Sequence, residues 1–353
     1  MRGPPPRPTA MATAPFSLGD AEWLAHRYIE SQDRVRFVRV PRQRHGEVPF
    51  LTDDCLGDLG PAHDLPAADC LAQVAPRPLH FLFHSAFCGS TMLVRGFDRP
   101  GLAMGLSEPT ILNDVVGFRR RGAAPAAVAR VTDLATRLLA RPFASGEAVV
   151  VKPSNVLNPL AELLLMLRAE SRAVLLYAPL ETFLISVARK GLSCRLWVRE
   201  LAEGYLAESF LAPLGVSPAE LFRQSDLQVA AVGWLAQHLH FARLAEKLGP
   251  TRLRALDANR MTGEPAAAVA AVADHFRLEL GREEVEQIAA GPAFSRHSKS
   301  GEAYSAAARA SDYESARAAY GEEIDVVLAW ALKYADSAGV MMEPANPLLP
   351  AQA

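Results

Sequence analysis

The side chains best suited to chemistry stand together in one stretch, His80-Phe-Leu-Phe-His-Ser-Ala-Phe-Cys-Gly-Ser-Thr-Met-Leu93. An apolar run gives way to a short loop with one glycine, two hydroxyl residues and a helix-like pattern. Such a loop turns several backbone N–H groups inward, and the following helix adds unpaired N–H groups and a positive dipole end. Gly89 permits a positive φ and a close backbone approach to an anion. Ser90 and Thr91 add hydroxyl donors. The chemistry this suits is binding a phosphate or phosphosulfate. An ordinary strand-to-helix turn with a capped helix would use the same residues. The stretch is not GxxxxGK[ST], because no lysine precedes Ser90, so a nucleoside triphosphate lacks its point-charge partner. Nor is it the CxxxxxR loop of a phosphatase, since Arg95 lies one place too far from Cys88. Cys88 therefore reads as a small loop residue.

Five short apolar runs supply the scaffold for that loop: His80–His84, Leu102–Leu106, Ala148–Lys152, Ala173–Tyr177 and Arg252–Asp257. Stretches with helical spacing separate them. Continuous apolar runs divided by helices are the mark of a parallel sheet buried on both faces. The pattern predicts a three-layer α/β domain over residues 78–340. Ser217-Pro-Ala-Glu220 has the form of a capping box. Helices are expected over 228–248, from Pro265 to Phe276, and over 315–337.

Ahead of this domain, residues 12–77 read as a small α+β extension. Asp20–Ile29 is expected to be a helix with an acidic first turn, and Arg34–Val40 a strand. Residues 41–78, rich in Pro, Gly and Asp, look like a loop-heavy connection. Residues 1–11 are proline-rich and are expected to be disordered, with Met11 an alternative start. Residues 341–353 are expected to form a flexible tail.

Composition narrows the function classes. The chain has 353 residues, 50% hydrophobic and 22% charged, with a formal net charge of −2. A core can form, and whole-chain disorder is excluded. No apolar run approaches the roughly 20 residues that span a bilayer. Near-neutral charge argues against a protein that coats nucleic acid. The 4 cysteines, at 55, 70, 88 and 194, form no CxxC pair, so neither a disulfide framework nor a metal site is expected. With no secretory h-region, the cytoplasm is the expected location.

Phe87-Cys-Gly-Ser-Thr-Met-Leu93 resembles the sulfate-donor loop of sulfotransferases, usually Pro-(Arg/Lys)-Ser-Gly-(Thr/Ser)-Thr-x-Leu. Together with Glu108-Pro109, Val151-Lys-Pro-Ser-Asn155 and Phe294-Ser-Arg-His-Ser-Lys299, it is similar to a bacterial branch of sulfotransferase-like proteins, over roughly residues 78–305. The resemblance implies a P-loop-type fold with a five-stranded parallel sheet and 3′-phosphoadenosine 5′-phosphosulfate as donor. It also implies in-line transfer of a sulfuryl group to a hydroxyl or amine on a small-molecule or protein acceptor. Two positions depart from the pattern. Phe87 stands where the donor loop usually carries Arg or Lys, and Tyr177-Ala-Pro179 replaces the usual Arg-Asp-Pro.

Replacement charge has several candidate sources. Lys152 ends a core strand, where open α/β sheets place their ligands, and it either reaches the sulfuryl group or pairs with Glu108 or Asp114. Ser186, Arg189 and Lys190 share one helical face, suited to a 3′-phosphate or to a solvated helix end. Arg296 and Lys299 resemble the basic loop that closes over the nucleotide. His84 is the expected base, with Glu108 as the alternative; a core histidine bonded to backbone would look the same. Trp197, Trp234, Phe210 and Tyr205 either line an acceptor cleft or belong to the core. Two other functions stay open: a scaffold that kept the fold without its chemistry, and an atypical nucleotide-dependent kinase.

Overall fold

The computed structural model describes residues 15–295 and 306–350. Among the described residues, eight strands form two sheets. The first joins β1 (Trp23–Ile29), β2 (Arg34–Arg39) and β3 (Ala62–Pro66), all antiparallel. The second holds β4 (His80–His84), β5 (Ala103–Ser107), β6 (Ala148–Lys152), β7 (Ala173–Tyr177) and β8 (Leu253–Asp257). These five are parallel, in the order β5-β6-β4-β7-β8. Every apolar run expected to be a core strand is one.

The order decides where a ligand can sit. The chain leaves β4 in the middle, crosses to the β5 edge, returns to β6, and then passes over β4 to β7 and β8. Right-handed crossovers in opposite directions put their helices on opposite faces. The helix Ser90–Phe97 covers one face, with Arg282–Ala289 and Pro292–Ser295 packed beside it. The other face carries Leu180–Arg189, Asp226–Leu248 and the long Ala306–Ala338, which pack on one another. Connections from β4 diverge here, and open α/β sheets take their ligands outside the carboxyl ends of the strands at such a point.

The marked helices form as their caps require. The Ser217 hydroxyl accepts from the Glu220 N–H while the Glu220 carboxylate accepts from the Ser217 N–H. A second capping box, Ser225 with Gln228, starts Asp226–Leu248. Pro265 opens Pro265–Phe276.

The N-terminal extension departs from expectation in one element. Trp23–Ile29 is a strand, not a helix. Asp20 does not cap a helix; its carboxylate accepts the Glu22 N–H in a tight turn. The ladder to β2 and the Asp114 carboxylate, which accepts the Tyr28 N–H at 2.8 Å, satisfy the backbone in extended form. Tertiary pairing thus overrides local helical spacing. Within 41–78, expected to be loop-heavy, lie the helices Arg42–Glu47, Asp53–Leu56 and Ala67–Gln73 as well as β3. Beyond residue 340 the described chain runs along β8. The Asn346 carbonyl accepts from Ala255 N–H, and the Leu348 N–H donates to the Ala255 carbonyl. Residues 1–11, where composition predicts disorder, lie outside the described residues.

Candidate functional site

The loop between β4 and the helix Ser90–Phe97 lies at the centre of the sheet's carboxyl end. Its backbone is left-handed at Ala86 (φ 73°), Phe87 (φ 52°) and Gly89 (φ 80°). Glycine takes that region freely, whereas Ala and Phe are strained there; strain of this kind gathers at ligand sites. Among the described residues, no group accepts a hydrogen bond from the backbone N–H of Phe87, Gly89 or Thr91. Ser90 and Thr91 are buried in the first helical turn. Thr91 is buried and Phe87 and Gly89 are half-buried, and amides withdrawn from water rarely go without an acceptor. This is the arrangement of donors that an anion fits.

Cys88 lies wholly inside, with the Ser90 N–H and hydroxyl against its sulfur. Burial pushes its thiol up, so the sulfur stays protonated at neutral pH and offers no nucleophile.

Lys152 and Glu108 are brought together as a pair. The Lys152 side chain is 1% exposed, its ammonium bonded to Glu108 Oε1 and 4.9 Å from the centre of the Phe50 ring. Glu108, itself left-handed (φ 50°), is tied to β6 through its N–H on the Lys152 carbonyl at 2.7 Å. Asp114, the other candidate partner of Lys152, is taken by Arg27.

His84 is buried beside them. The Ala86 N–H donates to its Nδ1 at 3.1 Å, so the ring proton is on Nε2, which donates to the Pro153 carbonyl at 3.0 Å. Glu108 Oε1 lies 4.0 Å from Nε2. Asn158 fixes the strand end from below, donating to the His84 carbonyl at 3.1 Å and to Gln237 Oε1 at 2.7 Å. Both ring nitrogens are therefore engaged by backbone, and the carboxylate of Glu108 is the freer proton acceptor of the two candidate bases.

Ser186, Arg189 and Lys190 divide. Ser186 is buried, its hydroxyl donating to the Thr182 carbonyl at 2.9 Å and meeting the Tyr313 hydroxyl at 3.2 Å. Arg189 and Lys190 are exposed. The Lys190 ammonium lies 5.5 Å from the centre of the Phe87 ring, which also packs on Phe183 and Trp197. Arg296 and Lys299 lie outside the described residues.

Among the aromatic candidates, Trp234 and Tyr205 are core. Trp234 donates to the Ala178 carbonyl and Tyr205 to the Asn155 carbonyl. Of these four, Trp197 reaches the loop after β4, through Phe87. Sequence reasoning missed Phe50, Asn158 and Tyr313, which no local pattern marks. It also missed two orphaned buried groups, Ser107 Oγ and Asn155 Nδ2. Asn155 was within reach, since it closes the Val151–Asn155 motif.

A parallel sheet in this order, with helices on both faces and a glycine-containing loop after its central strand, defines a three-layer α/β fold. Solved structures that it is similar to include sulfotransferases. The sulfotransferase domain from the curacin biosynthetic pathway is 15% identical, at a TM-score of 0.40 over 63% of this chain and 82% of that one. STF1 of Mycobacterium tuberculosis is 14% identical, at 0.41 over 71% and 80%. STF9 of Mycobacterium avium is 12% identical, at 0.41 over 73% and 79%. No protein-family model matches the chain, and no curated protein matches it. Strand order and loop geometry, rather than these overlaps, carry the reading that follows. Among the described residues, no helix is long and apolar enough to cross a membrane, and no group of His, Cys, Asp or Glu is arranged to hold a metal.

Proposed function

We propose that this protein is a sulfotransferase-like enzyme that uses 3′-phosphoadenosine 5′-phosphosulfate and passes its sulfuryl group to a hydroxyl or amine. The observation that carries the reading is the row of unaccepted N–H groups at Phe87, Gly89 and Thr91. They stand in a left-handed loop without the lysine a triphosphate needs. The acceptor oxygen or nitrogen attacks sulfur, and the bond from sulfur to the 5′-phosphate oxygen breaks. The bonding pair leaves on that phosphate, giving adenosine 3′,5′-bisphosphate, and the acceptor's proton passes to a base. Glu108 suits that base role better than His84, because the His84 lone pair already receives the Ala86 N–H. Lys152, beside Glu108, supplies positive charge where the leaving oxygen gains negative charge. Arg189 and Lys190 bring cations to the nucleotide, with Arg296 and Lys299 proposed from the resemblance to do the same. His84 becomes the group that sets the path of the loop.

One observation favours a second reading, a binding or scaffold protein on the same fold. Lys152 is buried against Glu108, and both His84 nitrogens are bonded to backbone. Calorimetry with adenosine 3′,5′-bisphosphate and with ATP separates the two. Micromolar binding of the bisphosphate over ATP supports the transferase. No binding of either, by a folded chain, leaves the scaffold.

A further inference from the structure

The loop from His84 to Thr91 holds no lysine or arginine of its own. Its amides are neutral donors, and an anion lodged on them gains much from a cation within a few ångström. Lys152, one strand away, is engaged by Glu108 and by the face of Phe50. Lys190 approaches from another element, at the end of the helix Leu180–Arg189. Its ammonium lies over the ring of Phe87, a residue whose own N–H is one of those without an acceptor. The ring is held between Phe183 and Trp197, so it is a fixed platform, and a cation over a fixed aromatic face is restrained before any ligand arrives. Ser186, the hydroxyl that would complete a 3′-phosphate site with Lys190, is instead turned inward onto Thr182 and Tyr313.

We infer that Lys190 meets the 5′-phosphosulfate end of the donor, across the Phe87 ring, and not the 3′-phosphate. The inference rests on the sulfotransferase reading above. It means that the positive charge absent from the loop at Phe87 is provided across space from the neighbouring helix.

Two probes test it by calorimetry on the full chain: adenosine 3′,5′-bisphosphate, and adenosine 5′-phosphosulfate, which has no 3′-phosphate. Lys190→Ala is expected to weaken both by a similar factor, roughly tenfold to a hundredfold. Lys190→Arg is expected to retain most of the affinity, and adding Phe87→Arg to Lys190→Ala to recover it by placing the cation in the loop. A loss confined to the bisphosphate would assign Lys190 to the 3′-phosphate and overturn the inference. So would unchanged affinity for both probes. If the unaltered chain binds neither probe, the sulfotransferase reading itself has failed, before any variant is compared, and this inference falls with it.

Discussion

At the amino end of the five-stranded sheet, Arg252 donates to the carbonyls of Ser171, Leu165 and Arg168. Arg172 donates to the His275 carbonyl, and His275 in turn to the carbonyl of Ala173. Glu147 accepts from Arg42 and from the Gly101 N–H. Every one of these charged or ring groups closes a gap in the backbone. At the carboxyl end, the amides of Phe87, Gly89 and Thr91 and the side chains of Ser107 and Asn155 have no such partner among the described residues. The two ends share strands and burial. Arg168 Nε at the amino end is also a buried donor without a partner, so the difference is one of kind: at the carboxyl end the donors without an acceptor include amides of a single loop, which can converge on one ligand.

Acid should have the largest effect, part of it at the amino end. Burial holds His80 and His275, stacked with or beside Phe276 at the amino end, down to about 4. His240 is held at about 4 and His238 at about 3, again by burial. Each is neutral in the fold and titrates near 6.5 once unfolded. The unfolded chain therefore binds more protons between about pH 6.5 and 4, so stability is full above that window and is lost as pH falls through it. The combined loss is of the order of a domain's whole stability, about 5 kcal/mol or more. Urea midpoints at pH 7 and pH 5 check it. Replacing His80 and His275 together by Asn should flatten part of the slope; an unchanged slope would mean that the amino end is not closed by neutral imidazoles.

Next in size is the buried pair at the carboxyl end. Lys152→Met leaves the Glu108 carboxylate facing apolar surroundings, which should cost about 3 kcal/mol, toward the low end for such pairs because Glu108 is partly exposed. Adding Glu108→Gln should recover most of that stability while transfer stays absent. If the double variant is as unstable as the single one, the pair is not what holds this end together.

The fold was legible because its signals are local. Each parallel strand is a continuous apolar run, and the capping box at Ser217 is complete within four residues. The loop was legible for the same reason: its glycine, hydroxyls and helix start are consecutive. Trp23–Ile29 was not, because its strand state depends on β2 and on Asp114, far along the chain. The same distance hid the approach of Lys190 to Phe87 and of Tyr313 to Ser186. The pairing of Lys152 with Glu108 was one of two partners that spacing allowed, and only the return of β6 beside β5 selects it. What the chain encodes through neighbours in sequence can be read directly; what it encodes through crossovers needs the sheet.

A smaller effect is expected at the amino end. Arg252→Ala removes donors from the carbonyls of three buried residues, and should cost about 2 kcal/mol. Affinity for adenosine 3′,5′-bisphosphate should be unchanged. A parallel loss of affinity would show that the two ends are coupled through the strands, and would blur the contrast drawn between them.

The smallest stability change is the sharpest comparison, because one substitution can be made at both ends. Gly89, in the loop after β4, has φ 80°, and Gly101, just before β5, has φ 81°. Alanine at either position must take a left-handed backbone, at a cost of about 1 kcal/mol. Nothing stands within 4 Å of a Cβ added at Gly101. At Gly89 the nearest atom, 2.9 Å away, is the methyl end of Met261, which can move aside. Denaturant midpoints should therefore shift alike for Gly89→Ala and Gly101→Ala. Affinity should not: the methyl group at residue 89, within the loop itself, pushes on the ends of Met261 and Met92, so bisphosphate binding is expected to fall at least tenfold there and stay constant for Gly101→Ala. Equal affinity in both variants would place the anion away from the loop, and the unaccepted amides of the carboxyl end would then need another partner.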